Sequence, residues 1–192
     1  MNAIDYLAHF ILDFYLMMVL LRLWLQFVRA DFYNPISQFS FKLTQFAVLP
    51  LSKVFPRSSF IDFSCLILAF IVGSLDMFLK FYHNDPFPGF IDCFLCVIFI
   101  LLKNFGSILF WSILLKAILS WVSRAETDSD YILTVITEPF LHPLRRALPD
   151  LGGIDISPMI ILFLISFVNK LISGLDFTLL GSSPVGSIWG YA

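Results

Sequence analysis

Four long apolar runs, parted by polar stretches, set the rhythm of this chain. They extend from about Tyr6 to Val28, Ser64 to Tyr82, Phe94 to Val122 and Ser157 to Leu175. Each approaches or exceeds the roughly 20 apolar residues that a helix needs to cross a bilayer core. Backbone polar groups left unpaired in lipid are too costly to tolerate, so the runs predict four transmembrane helices. The third is long because "LLKNFGS" interrupts it. That places Lys103 near the headgroups and leaves Phe105–Val122 to cross. Between the first and second runs, Ile36, Phe39, Leu43 and Phe46 recur at helical spacing against Gln38, Lys42 and Gln45. Asn34–Pro35 reads as an N-cap followed by Pro at the first helical position. Between the third and fourth runs, Ile132, Val135 and Ile136 form an apolar face opposite Thr134 and Thr137. Both pieces are too polar to span. They suit either the headgroup boundary or a seat against the end of the bundle.

The pattern occurs twice. Arg22–Val28 aligns with Lys116–Val122 at an offset of 94 residues. Further on, at an offset of 93, Thr44–Pro56 aligns with Thr137–Pro149 and Ile61–Ile67 with Ile154–Ile160. Pro50 meets Pro143, Pro56 meets Pro149, Asp62 meets Asp155 and Ser64 meets Ser157. A fixed period of this kind marks repeated architecture. The expected fold is an all-α membrane protein with four spans in two parallel tandem repeats. Short amphipathic interfacial helices lie in the connections. Residues 1–88 form the first repeat, 89–180 the second and 181–192 a tail.

Composition supports the bilayer. Hydrophobic residues make up 59% of the chain and charged residues 14%, against about 45–50% and about 25% in soluble domains. The net charge of −2, with no basic stripe, gives no reason to expect nucleic acid. The first apolar run has no basic residue ahead of it, so it reads as a retained helix rather than a removable signal. Lys and Arg concentrate in the two long connections: Arg29, Lys42, Lys53 and Arg57 in one, Arg124, Arg145 and Arg146 in the other. By the positive-inside rule both connections face the cytoplasm and both termini lie outside. The expected location is the cell inner membrane.

Candidate chemistry is sparse. Pro139, Pro143 and Pro149 each lack a backbone donor and predict a break in any helix there. Arg145 and Arg146 then run along the surface, where each gains about 1 kcal/mol from anionic headgroups. Ser157 and Pro158 open the fourth helix, with Asp155 just ahead of its positive end. Pro143, Arg145, Arg146, Pro149 and Asp155 are therefore the candidate lipid or partner contacts. Arg22 and Lys116 are expected to snorkel to the interface. Asp76, inside the second span, pairs either with Lys80 one turn on or belongs to a polar layer with Asp13. Intramembrane carboxylates are costly and often functional, so a small ion channel or transporter using Asp13 and Asp76 is the alternative function. Cys93 and Cys96 have redox spacing but sit in an apolar helix, where packing is the plainer role. The three His are scattered, and no metal or nucleophile motif occurs. No cofactor and no catalytic residue is expected.

"AILSWV…TEPFLHPLRRALPDLGGIDISPMIILFLI" resembles the YggT/YlmG family of small membrane proteins. An aromatic-ended helix, a Pro–Leu–Arg–Arg segment ending in Pro, and Asp–x–Ser–Pro opening a helix carry the resemblance. The first repeat departs from it: Ser52–Lys53 replaces the Arg pair and Cys65 replaces Pro. The resemblance implies an integral membrane protein without established catalytic residues. Bacterial relatives are associated with division, cell shape or osmotic tolerance, and plastid relatives with nucleoid distribution and haem attachment. No axial-ligand pattern brings haem chemistry to this chain. The implied role is a non-enzymatic scaffold or accessory factor. Its partners would be membrane lipids, anionic headgroups included, an unidentified membrane or cytoplasmic protein, and further copies of itself.

Overall fold

The computed structural model describes residues 3–55, 62–81, 89–122, 128–147 and 156–179. These residues are helical almost throughout, with no strand among them. The helices are α1 (Ala3–Phe27), α2 (Pro35–Val54), α3 (Phe63–Phe81), α4 (Phe90–Val122), α5 (Asp128–Ala147) and α6 (Ser157–Leu179). Helix α1 packs on α3 as α4 packs on α6, and α2 and α5 lean on their own pair. The duplication read from the sequence is thus a duplication of three-helix sets. The sets join where α4 meets α1 and α3. Two helices are long and apolar enough to cross a membrane, Ala3–Phe27 and Phe90–Ser120. The apolar stretches Phe63–Leu79 and Ser157–Ile172 are shorter. At 1.5 Å per residue the 19 residues of α3 reach about 28 Å, just under the roughly 30 Å hydrocarbon core. Two candidate spans therefore stand where the apolar runs predicted four.

The main core gathers Leu16, Val19, Leu20, Leu68, Ala69, Val72, Cys96, Val97 and Ile100 from α1, α3 and α4. A second cluster, with Leu25, Leu109, Ile132 and Ile136, ties α1 to α4 and α5. Trp24 is its bridge. The indole Nε1–H donates to the Ile136 carbonyl at 3.1 Å, and the ring packs on Phe27, Phe105 and Phe140 with centroids 5.0–5.6 Å apart.

Helix α2 begins as its sequence predicts. Asn34 Oδ1 accepts from the Ile36 N–H at 3.0 Å, with Pro35 opening the helix. Of the two seats expected for its apolar face, the one against the end of the bundle is not taken by most of that face. Ser37, Ser40, Thr44 and Val48 are buried, while Phe39, Leu43 and Phe46 face outward, Phe46 at 90% exposure. Small side chains let helices approach closely in apolar surroundings. Here Ser40 Oγ also donates to the Met18 carbonyl of α1 at 3.0 Å.

Helix α5 corrects a second expectation. It runs unbroken through Pro139 and Pro143, as α2 runs through Pro50. All three prolines are exposed, so the carbonyls they orphan lie on the outward side. The cost, about 3 kcal/mol for an interior proline, is offset by the opposite face, where Ile132, Ile136 and Leu141 are buried. Thr137, expected on the polar side, is fully buried with them.

Helix α1 ends with Arg29 at φ 54°, the left-handed turn of a Schellman close. Ala30 N–H reaches back to the Leu25 carbonyl at 2.9 Å and Arg29 N–H to that of Gln26 at 3.2 Å. Buried Ala30 and Leu25 supply the accompanying apolar contact. Helix α3 is capped by Asp62, whose Oδ1 accepts from Ser64 N–H at 3.1 Å. Asp62 is the counterpart of Asp155, which lies outside the described residues together with Pro149.

Arg22 does not snorkel. It is buried at 3% exposure. Nη1 donates to Thr44 Oγ1 at 3.0 Å, and the guanidinium lies 4.6 Å above the Phe41 ring. Thr44 Oγ1 donates in turn to the Ser40 carbonyl at 2.8 Å. Replacing Thr44 by the isostere Val removes the acceptor and leaves the cation short of partners. The expected loss is about 1.5–3 kcal/mol, measured by denaturation in detergent. In an Arg22→Met background the same Thr44→Val change should cost nearly nothing, because the two side chains act as one unit.

Candidate functional site

The second set repeats the Arg22–Thr44 arrangement with Lys116, the counterpart of Arg22, and Thr137, the counterpart of Thr44. Lys116 Nζ lies 3.5 Å from Thr137 Oγ1, which donates in turn to the Leu133 carbonyl at 2.7 Å. This cluster is more open and more charged. Glu138 Oε2 stands 3.8 Å from Lys116 Nζ and 3.6 Å from Arg145 Nη1. The first set has Gln45 and Ser52 at the positions of Glu138 and Arg145, so it has no counterpart of this bridge. Arg145 and Arg146 both lie exposed in the last turn of α5. Two cations at a helix C-terminus sit favourably on the macrodipole, and Glu138 holds one of them in register.

Beside this turn, α4, α5 and α6 enclose a groove of about 520 Å³. Its walls are apolar: Phe105, Leu109, Phe140, Leu144, Ile161 and Ile165, with Pro143 at one margin. Asn169 and Gly106 line it too, and they explain its shape. A Cβ at position 106 would lie 2.6 Å from Asn169 Oδ1, so the glycine gives that amide its place on α4 and a larger residue would make the Asn169 side chain move. Carried back along the repeat, Gly106 corresponds to Leu12 and Leu109 to Tyr15. Leu12 and Tyr15 pack on the main core. The second set therefore has less bulk on the equivalent face of its first helix.

The buried carboxylate of α3 has a partner beyond the reach of spacing arguments. Asp76 Oδ1 lies 2.8 Å from His9 Nδ1, both buried, Asp76 completely. The pair clamps α3 to α1. Asp13, half-buried, sits one turn beyond His9 on α1. The side chain of Lys80, the partner expected from spacing, lies outside the described residues. Asn169 is the repeat counterpart of Asp76, so both sets place a polar side chain at this level between their first and last helices. Cys96 is buried in the main core and Cys93 packs against it, which favours packing over redox work. Among the described residues, no three His, Cys, Asp or Glu side chains gather as a metal site.

Asp76→Asn, which reproduces the residue of the second set, should preserve the clamp. Asp76→Ala leaves the buried imidazole without this acceptor. It should be about 1–3 kcal/mol less stable than the Asn variant, seen as a lower unfolding midpoint in detergent.

Comparison with known proteins agrees with the duplicated architecture. The family model of CCB3/YggT matches residues 1–82 and 95–175, one match for each set of helices. The chain is 38% identical over 169 residues to the uncharacterized protein YggT of Escherichia coli strain K12, which covers 88% of each. It is 35% identical over 191 residues to an uncharacterized protein in the proC 3′ region of Vibrio alginolyticus, 98% of each chain. A shorter match, 32% identical over 63 residues, links it to CCB3, a chloroplastic protein of Arabidopsis thaliana named for cofactor assembly. That match covers 32% of this chain and 36% of the other. No solved structure matches. The two matched segments and the full-length relatives agree: the chain belongs to the CCB3/YggT family.

Proposed function

We propose that this protein is a non-enzymatic scaffold or accessory factor of the cell inner membrane. It works from the second set of helices, where a lipid with an anionic headgroup docks. Four spans, with α2 and α5 on the cytoplasmic side and both termini outside, complete the arrangement. The observation that carries the reading is the asymmetry between the two sets. They share a frame, yet only the second combines an exposed arginine pair with an apolar groove beside it. An acyl chain fits the groove walls, and a phosphate-bearing headgroup at the level of Arg145 and Arg146 meets opposite charge. The outward apolar face of α2, with Phe39 and Phe46, suits the lipid boundary as well.

An assembly role fits the name of the Arabidopsis relative, a cofactor-assembly protein. For this chain the setting we propose is the envelope, in division or osmotic tolerance, with a membrane or cytoplasmic protein as client. The Asp76 carboxylate, held inside the α1–α3 contact, serves better as a clamp than as a conduit for ions. Asp76→Asn should accordingly leave client capture intact, whereas a channel built on Asp13 and Asp76 would lose its flux.

The arginine pair provides the direct test. The protein is reconstituted in nanodiscs with a fixed fraction of phosphatidylglycerol, and the lipid retained on extraction is read by native mass spectrometry. Each Arg→Gln change at 145 or 146 should lower retention about fivefold, the equivalent of about 1 kcal/mol. Ser52→Gln in the first set should change nothing. Equal retention by all variants, with an unchanged set of cross-linked clients in cells, would overturn the proposal.

A further inference from the structure

The surface that joins the first set to the second recurs, by repetition, at the two ends of the chain. The joint is made where α3 meets the first half of α4. A Cβ on Gly73 would lie 3.2 Å from Val97 Cγ1 and 3.7 Å from Leu101 Cδ2, so α4 closes on α3 at a glycine. Phe70 and Phe94 stack beside it with centroids 6.0 Å apart. Moved along the repeat by 93 residues, Gly73 and Phe70 become Ser166 and Phe163 of α6. Moved back by 94, Val97, Ile100 and Leu101 become Ala3, Tyr6 and Leu7 of α1. Val97 and Ile100 are buried in the joint. All five counterparts are exposed: Phe163 at 69%, Tyr6 at 68% and Leu7 at 57%, with Ser166 and Ala3 open as well. Position 166 keeps the small side chain that membrane helix contacts favour.

We infer that a second copy of this chain covers these faces. The first two turns of its α1 seat on α6 as α4 seats on α3. Giving and receiving faces differ, so the contact is heterologous and continues from chain to chain until rotation closes a ring. It continues an interface already present within each chain, which is why a second copy, rather than an unrelated helix, is the occupant. The inference goes beyond the lipid reading and does not depend on Arg145 or Arg146.

The test uses the full chain in native membranes. Two differently tagged chains, one Ser166→Cys and one Leu7→Cys, both with Cys65, Cys93 and Cys96 replaced by Ala, are co-expressed and oxidised. The expected product carries both tags and vanishes when either new cysteine is omitted. A Gly73→Cys/Leu101→Cys chain in the same background should link within itself and so reports that the fold survives. In that sound background, no two-tag product, or mainly Ser166→Cys chains joined to each other, overturns the inference. The unaltered chain gives an independent reading by native mass spectrometry. A multiple of 22.0 kDa is expected, and a single 22.0 kDa chain carrying only lipid overturns the inference.

Discussion

A cation set into an apolar helix must find oxygen within reach of its own side chain, and this protein meets that demand at the same place in both sets. Arg22 finds Thr44 at 3.0 Å and Lys116 finds Thr137 at 3.5 Å. The threonine in each case lies on the amphipathic helix and is already bonded to its own backbone. The hook therefore fixes which face of α2 or α5 turns inward. On α2 the inward stripe is Ser37, Ser40 and Thr44, and the phenylalanines go outward. Turning that stripe inward keeps the buried cation partnered, which an apolar stripe on the same face would not do.

At the other end of the bundle the same spatial problem has two solutions. Between α1 and α3 the polar level is held by His9 and Asp76, a direct contact between long side chains. Between α4 and α6 the counterpart of Asp76 is Asn169, and Gly106 makes room for it. A side-chain clamp and a glycine seat hold helices together with different fillings. The first set keeps Leu12 and Tyr15 against the core, whereas the second leaves apolar space beside Asn169. The groove is thus a consequence of how the second set solved its polar contact.

Much of this fold is legible from the residues. Apolar period and the 93- and 94-residue offsets give the helices and their duplication, and Asn34–Pro35 gives the start of α2. The break expected at Pro139 and Pro143 does not occur, because proline reports the loss of one donor but not the packing on the opposite face. Leu141, Ile132 and Ile136 supply that packing. The contacts of His9 and Trp24 are invisible in the sequence for a different reason. Their partners, Asp76 and Ile136, are 67 and 112 residues away, and spacing arguments reach only a turn or two. The apolar stretches of α3 and α6 fall short of a full span by a few residues, which separates them from α1 and α4. Of the candidate site, the alignment of the repeats already pairs Thr44 with Thr137 and Arg22 with Lys116. Only three dimensions show that cation and threonine form one contact in each set.

Duplication also explains how two sets on one frame come to differ. Trp24 and the first half of α4 lock the sets together from the side of the first set, through α1 and α3. Residues there answer to two interfaces at once: Leu20 and Val72 must fit their own set and α4 together. Among the described residues the corresponding surfaces of α6 answer to no second interface, and the last turn of α5 faces outward. The two sets differ in charge, with Arg145 against Ser52 and Glu138 against Gln45, and in bulk, with Gly106 against Leu12. The sets are joined through one half, and the groove and the exposed arginine pair lie on the other.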